Sequence, residues 1–162
     1  MALRQIREEQ DPVLRKISKE VKEVTPRVKQ LIDDMLDTMY NAHGVGLAAP
    51  QVGILKRIAV VDVGMEEKQP HVFINPVITR SQGKCNGTEG CLSVPGLFGF
   101  VDRPEKITVE YLDETGAQRT LDAEGFFARA ICHEVDHLHG ILFIDKPEFV
   151  EAVEEDEEGI DE

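Results

Sequence analysis

The hydrophobic positions of this chain change period along its length, and each change marks an element. Val28, Leu31, Ile32, Met35, Leu36 and Met39 recur at helical spacing. Thr25 ahead of Pro26 supplies an N-cap and a proline at the first helical position. A helix is therefore predicted from there to about Ala42, with Gly44 ending it. Further on the pattern turns to runs rich in Val and Ile. Arg57 to Val63 and His71 to Arg80 read as strands, and Ile107 to Leu112 and Arg119 to Asp122 as a hairpin around Asp113-Glu114-Thr115-Gly116. The proline-free stretch from Ala123 to Leu138 holds Phe126, Phe127, Ala130, Ile131 and Leu138, which predicts a largely buried helix. Strands followed by a late helix predict an α+β fold: one domain, its antiparallel or mixed sheets packed around that C-terminal helix.

Charge is distributed unevenly. After Lys146 come nine acidic residues and no Lys or Arg, and without them the net charge of −13 becomes about −4. The chain thus divides into a domain over 1–146 and an acidic tail over 147–162, read as solvated and disordered with a short helical start at Pro147 to Val153. Such a tail repels nucleic acid, so no direct nucleic-acid binding is expected. Met1 to Ile6 has no apolar signal region and no stretch is long enough to span a bilayer. Three cysteines do not suggest a disulfide framework. A cytoplasmic protein is expected.

The buried helix carries the chemistry. His133-Glu134-Val135-Asp136-His137 places two imidazoles four residues apart, on one helix face, where they can share an ion. Glu134 sits one step round, near enough to serve a metal-activated water without ligating. These polar groups would be costly inside an apolar helix without a partner, and a metal supplies one. A third ligand must come from elsewhere. Cys91, in Glu89-Gly90-Cys91-Leu92-Ser93-Val94-Pro95-Gly96, has the best setting: Gly90 permits close backbone approach, and Pro95-Gly96 predicts a turn. The residues alone leave Cys91 between a thiolate ligand and a buried free thiol. Cys132 points off the ligand face and reads as packing; Cys85 falls in a polar segment, 81–87, read as a loop with an exposed thiol. Glu89 and Arg103 are candidates for an ion pair holding the cysteine segment, although most such pairs are surface decoration. His43, His71 and His139 show no evident partners and read as ordinary packing or exposure. A third segment, Gly44-Val45-Gly46-Leu47-Ala48-Ala49-Pro50-Gln51, lacks the Gly-Lys-Ser/Thr of a phosphate loop. Its glycines let an extended ligand lie against the backbone, and Gln51 can donate to a carbonyl oxygen.

Together and in this order, the three segments closely resemble the peptide deformylase family, with its Gly-x-Gly-x-Ala-Ala-x-Gln, Glu-Gly-Cys-Leu-Ser and His-Glu-x-x-His blocks each complete here. The similarity runs from about Ile6 to Lys146 and includes Asp11-Pro12-Val13-Leu14-Arg15. The resemblance implies metal ligation by Cys91, His133 and His137, with Glu134 as general acid/base. It implies that Gln51 and the backbone amide of Leu92 stabilise the oxyanion. The implied reaction removes the formyl group from the N-terminal formyl-methionine of new proteins, by attack of hydroxide generated on the metal, and releases formate. One divalent ion is implied, iron(II) first; the donor set also admits zinc, nickel or cobalt. The substrate is expected to add as a short strand within reach of Gly44, Val45, Gly46 and Gly90, its methionine side chain in a pocket lined by Val45, Phe126 and Ala130.

The chain departs from the family's pattern in two places. Phe98 lies in a segment where some relatives carry an Arg that contacts substrate, so peptide preference is expected to differ. The acidic tail replaces the basic C-terminal helix by which some bacterial members dock on the ribosome, so any transient ribosome contact would have to be made without it. Two rivals are a metalloprotease using the same pentad, against which Glu-Gly-Cys-Leu-Ser argues, and a silent relative that binds without turnover, against which intact Gln51, Cys91 and Glu134 argue.

Overall fold

The structure, a computed structural model, describes residues 2–64 and 66–146 and the backbone of Val150 and Glu151. Helix α1, Pro26–Asn41, forms as its sequence predicts: Thr25 Oγ1 accepts from the Val28 amide at 3.2 Å, and Pro26 fills the first turn. Its stripe of Val28, Leu31, Ile32, Met35 and Met39 packs on Leu47, Ile58, Val60, Val72 and Ile74. Each such side chain contributes about 1.5–3 kcal/mol on burial. The helix ends differently from expectation. His43, not Gly44, takes the left-handed conformation (φ 58°), and the amides of His43 and Gly44 close onto Tyr40 and Met39 oxygens at 3.0 Å each. Gly44 is needed for closeness instead, since a Cβ there would meet Leu92 Cδ1 at 2.6 Å.

Two antiparallel sheets follow. Strands β1 (Gly46–Ala48), β2 (Ile58–Val61), β3 (His71–Gln82), β6 (Lys106–Leu112) and β7 (Gln118–Glu124) form one sheet in the order β1-β2-β3-β6-β7. Strands β4 (Cys85–Cys91), β5 (Val94–Arg103) and β8 (Val150–Glu151) form the other, in the order β4-β5-β8. The predicted β6–β7 hairpin turns on Asp113, whose Oδ1 accepts from the amides of Thr115 (2.9 Å) and Ala117 (3.1 Å).

Three boundaries differ from the sequence reading. Ala123 and Glu124 finish β7, paired with Ile107 and Lys106, and the second helix, α2, spans Gly125–Leu138. Segment 81–87 is not a loop: β3 runs to Gln82, and Cys85 opens β4. Pro95-Gly96 is not the turn after the cysteine. Cys91 pairs with Val94 across Leu92-Ser93, and Pro95, Gly96 (φ 81°) and Leu97 bulge out before Phe98 pairs with Gly90. The acidic tail lies outside the described residues except for Val150 and Glu151. These two pair with Phe100 and Gly99 as strand, where a helical start was expected.

Helix α2 joins the sheets. Ala128, Ile131, Cys132 and Val135 pack with Phe73, Ile107 and Val109 of the larger sheet. From the same helix, Arg129 reaches the backbone of the smaller one. The expected α+β domain, with antiparallel sheets and a C-terminal helix between their contacts, is the observed arrangement.

Candidate metal centre

Where β4 ends, Cys91 meets α2. Its Sγ lies 3.3 Å from His137 Nε2, and ligand atoms of Cys91, His133 and His137 all fall within 4.8 Å of one another. The two imidazoles stand one helical turn apart with ring centroids 5.0 Å apart. Both are buried. Burial holds His137 well below the usual imidazole range, so the ring is neutral and its nitrogen has a free lone pair. Burial also opposes charge on His133, but hydrogen bonds to Cys91 and Glu89 outweigh it and raise its pKa to about 10. A soft thiolate with two imidazoles suits a divalent transition metal.

The network behind His133 is ionic and buried. Glu89 Oε1 lies 2.9 Å from His133 Nδ1, which leaves Nε2 for the site. Arg103 grips the same carboxylate through Nε (2.7 Å) and a second guanidinium nitrogen (2.9 Å), and also holds Asp136 at 2.6 Å. Arg129 donates to Glu89 (2.7 Å) and to the carbonyls of Val101 (3.0 Å) and Cys85 (2.8 Å). Burial alone would raise the Glu89 pKa, but its hydrogen bonds from Arg103 and His133 hold it well below the usual carboxylate range. The anticipated Glu89–Arg103 pair thus exists, in the interior and not as surface decoration.

Glu134 faces the open side. Burial pushes its pKa up to about 7, and Oε1 has no hydrogen-bond partner among the described residues. Gly46 makes room for it, because a Cβ there would collide with the Glu134 carboxylate. A carboxyl poised near neutrality and lacking a partner is suited to taking and giving a proton. Across the site, Gln51 sits in the 3-10 turn Ala49–Val52. Its Oε1 accepts from the Ala48 amide (2.9 Å), while Nε2 donates to Ser93 Oγ (3.0 Å) and lies 3.7 Å from Cys91 Sγ.

A cleft of about 580 Å³ opens over this centre. Val45, Gly46, Gly90, Phe126 and Ala130 line it, together with Leu92, Gln51, Cys91, His133 and Glu134. Gly44 is not in the wall; it packs beneath Leu92. The cleft runs between β1 and β4, each the outermost strand of its sheet, so both flanks offer strand edges. Phe98 is 49% exposed, and its ring lies over Gly90. Cys132 is buried in the packing of α2 and Cys85 is exposed, as read from sequence. His71 stacks on Phe73 and lies tilted against Phe127, and His139 Nδ1 lies 3.0 Å from the Val135 carbonyl.

Arg129, Asp136 and Ser93 were not anticipated. Arg129 did leave a signal: it precedes His133 and His137 at four-residue spacing on the buried helix face. A charge there needs partners. Ser93 stood in the Glu-Gly-Cys-Leu-Ser block without an assigned role, since only the fold brings it to Gln51.

The sequence model of the family described as polypeptide deformylase matches residues 3–152. The peptide deformylase of Agathobacter rectalis is 56% identical over 148 residues, covering 91% of this chain and 92% of that protein. That of Lachnoclostridium phytofermentans is 53% identical over 146 residues, 90% of each chain. The crystal structure of a peptide deformylase from Legionella pneumophila superimposes with a TM-score of 0.86 at 46% identity, covering 89% of this chain and 85% of that one.

Proposed function

The chain belongs to the polypeptide deformylase family, metal-dependent hydrolases that remove the N-formyl group from nascent peptides, and on that footing we propose how its residues do so. Cys91, His133 and His137 hold one divalent ion, iron(II) in the first instance, with zinc, nickel or cobalt as substitutes. The donor set fits such an ion: His137 is kept neutral by burial, and Glu89 fixes the His133 ring through Nδ1. When bound, the ion lowers the pKa of a water to about 7 and polarises a carbonyl.

The protein's own groups supply the rest. Glu134 takes a proton from the attacking water and later delivers one to the leaving amine. Gln51 Nε2 and the backbone amide of Leu92 donate to the oxygen that gains charge, a role commonly worth about 3 kcal/mol per donor. Gly46 and Gly90, on the two strand edges, pair with the substrate main chain, a mode that tolerates many peptide sequences. The methionine side chain enters the cleft against Val45, Phe126 and Ala130. The catalytic domain is residues 1–146. The reaction belongs in the cytoplasm, on nascent chains. On this reading any ribosome contact is transient, and no nucleic acid is bound directly. No helix among the described residues is long and apolar enough to cross a membrane.

The observation that carries this reading is the three-donor cluster with an unpartnered, buried Glu134 beside it. Its test is formate release from a formyl-Met tripeptide under anaerobic conditions, with protein loaded with iron(II) or nickel. Glu134→Gln is expected to keep its metal, measured by elemental analysis, and to lose about 10²- to 10⁴-fold in turnover. Wild-type activity in that variant would remove Glu134 from the mechanism.

A further inference from the structure

Gln51 can stabilise an oxyanion only if its carboxamide presents nitrogen to the site. The two ends of that group have nearly the same shape and opposite hydrogen-bonding character. Rotated by half a turn, the side chain would aim Oε1 at the developing negative charge and repel it. The Ala48 amide, which can only donate, opposes that rotation, and Ser93 anchors the nitrogen end. The Ala48 amide donates to Oε1 at 2.9 Å, and Ser93 Oγ accepts from Nε2 at 3.0 Å. Ala48, Gln51 and Ser93 are all buried, so water does not readily replace either partner.

The bonds differ in reach. Ala48 is three residues from Gln51 and belongs to the same side of the cleft. Ser93 is 42 residues away, in the Leu92-Ser93 turn that carries the chain from Cys91 into β5. Its hydroxyl therefore ties Gln51 to the turn bearing both the thiol ligand and the Leu92 amide. We propose that Ser93 is a positioning residue: with Ala48 it locks the Gln51 carboxamide nitrogen toward the reacting carbonyl, and fixes that donor relative to Leu92. The proposal rests on the reading of Gln51 as an oxyanion donor. It assigns Ser93 no contact with substrate.

The test is a double-mutant cycle on metal-loaded enzyme with a formyl-Met tripeptide, using Ser93→Ala, Ser93→Thr, Gln51→Ala and the Ser93→Ala/Gln51→Ala pair. Gln51→Ala is expected to lower kcat about 10²-fold, the usual cost of losing one oxyanion donor. Ser93→Ala is expected to lower kcat about tenfold, the value of a lost hydrogen bond, with KM within about twofold of wild type. Ser93→Thr, which keeps the hydroxyl, restores most of kcat. The pair is no slower than Gln51→Ala alone, because Ser93 acts through Gln51. A purely structural role would instead lower melting temperature and leave kcat of the folded fraction intact. Should Ser93→Ala fail to fold, Ser93→Cys, with sulfur as a weak acceptor, takes its place with the same expected loss. Equal fractional losses from the serine change in wild-type and Gln51→Ala backgrounds would overturn the proposal. So would full kcat in a folded Ser93→Ala. Wild-type kcat in Gln51→Ala would defeat the underlying reading of Gln51 itself, a result distinguishable from the other two.

Discussion

Helix α1 meets its sheet with Val28, Leu31, Ile32, Met35 and Met39, whereas α2 turns Arg129, His133, Glu134 and His137 into the interior. The few polar groups that α1 buries are met by neighbours. Asp34 receives Arg4 Nε at 3.0 Å and Gln30 Nε2 at 2.8 Å, and Thr38 accepts from the Arg4 amide at 3.0 Å. On α2 the pattern splits. Arg129 and His133 are enmeshed with Glu89, while Glu134 Oε1 and His137 Nδ1 have no partner among the described residues. A buried polar group that is left unmet needs an explanation. Glu134 Oε1 stands at the proposed substrate position, whereas His137 Nδ1 is the ring nitrogen other than Nε2, which faces Cys91. Thus α1 serves to bury area, and α2 serves to hold charges in place.

The strongest way to break this contrast is Arg103→Met. It removes both contacts to Glu89 and one to Asp136 while roughly conserving bulk. Breaking a buried ionic network from one side costs about 3–5 kcal/mol. We expect a loss near the lower bound, since Arg129 and Lys146 still face the two carboxylates. That corresponds to a melting temperature roughly 10 °C lower at fixed metal occupancy, measured by calorimetry. A loss below about 1 kcal/mol would mean that the cluster behaves as a surface pair. The matching change on α1, Met35→Leu, should cost less than about 1.5 kcal/mol, although Met35 is fully buried. A larger cost there would show that the apolar face is as exacting as the charged one.

How much of this was legible in the sequence follows the same division. The α1 stripe, the Val- and Ile-rich β2 and β3 and the β6–β7 hairpin could be read because burial on one face leaves a period in the chain. The two histidines of the candidate cluster were legible from their four-residue spacing on one helix face. The β4–β5 hairpin was not. Cys85-Asn86-Gly87-Thr88-Glu89-Gly90-Cys91 has almost no intrinsic strand preference and is strand through its pairing with β5. Arg129 bonding to Cys85 and Val101 carbonyls ties that pairing to α2. Likewise, Pro95-Gly96 looks like a turn from local rules, and the register across Gly90 and Phe98 makes it a bulge. Ser93 came to light only once the fold had brought it to Gln51, because contacts between distant segments leave no local periodicity.

The mildest test concerns the edge of the α1 region, where Tyr40 donates to Asp62 at 2.5 Å and the amides of Gly64 and Gln69 add 2.8 Å and 3.0 Å bonds. Burial alone would raise the Asp62 pKa, but these donors hold it below its ordinary value of 3.8. For Tyr40, burial and the adjacent carboxylate push the phenol up to about 12 from 10. The signs then differ at the two ends of the pH range. Asp62 binds fewer protons folded than unfolded, so its contribution is present above about 3.8 and fades as pH falls through the lower folded value. Tyr40 holds its proton more tightly when folded, so its contribution is present below about 10 and is lost as pH rises through about 12. Tyr40→Phe should therefore cost about 1 kcal/mol at neutral pH. It should also flatten both limbs of a plot of urea midpoint against pH. An unchanged acid limb in that variant would show that the backbone amides alone depress Asp62. Asp62 would then need no side-chain partner, in contrast to Glu89, which side chains of β5 and α2 hold together.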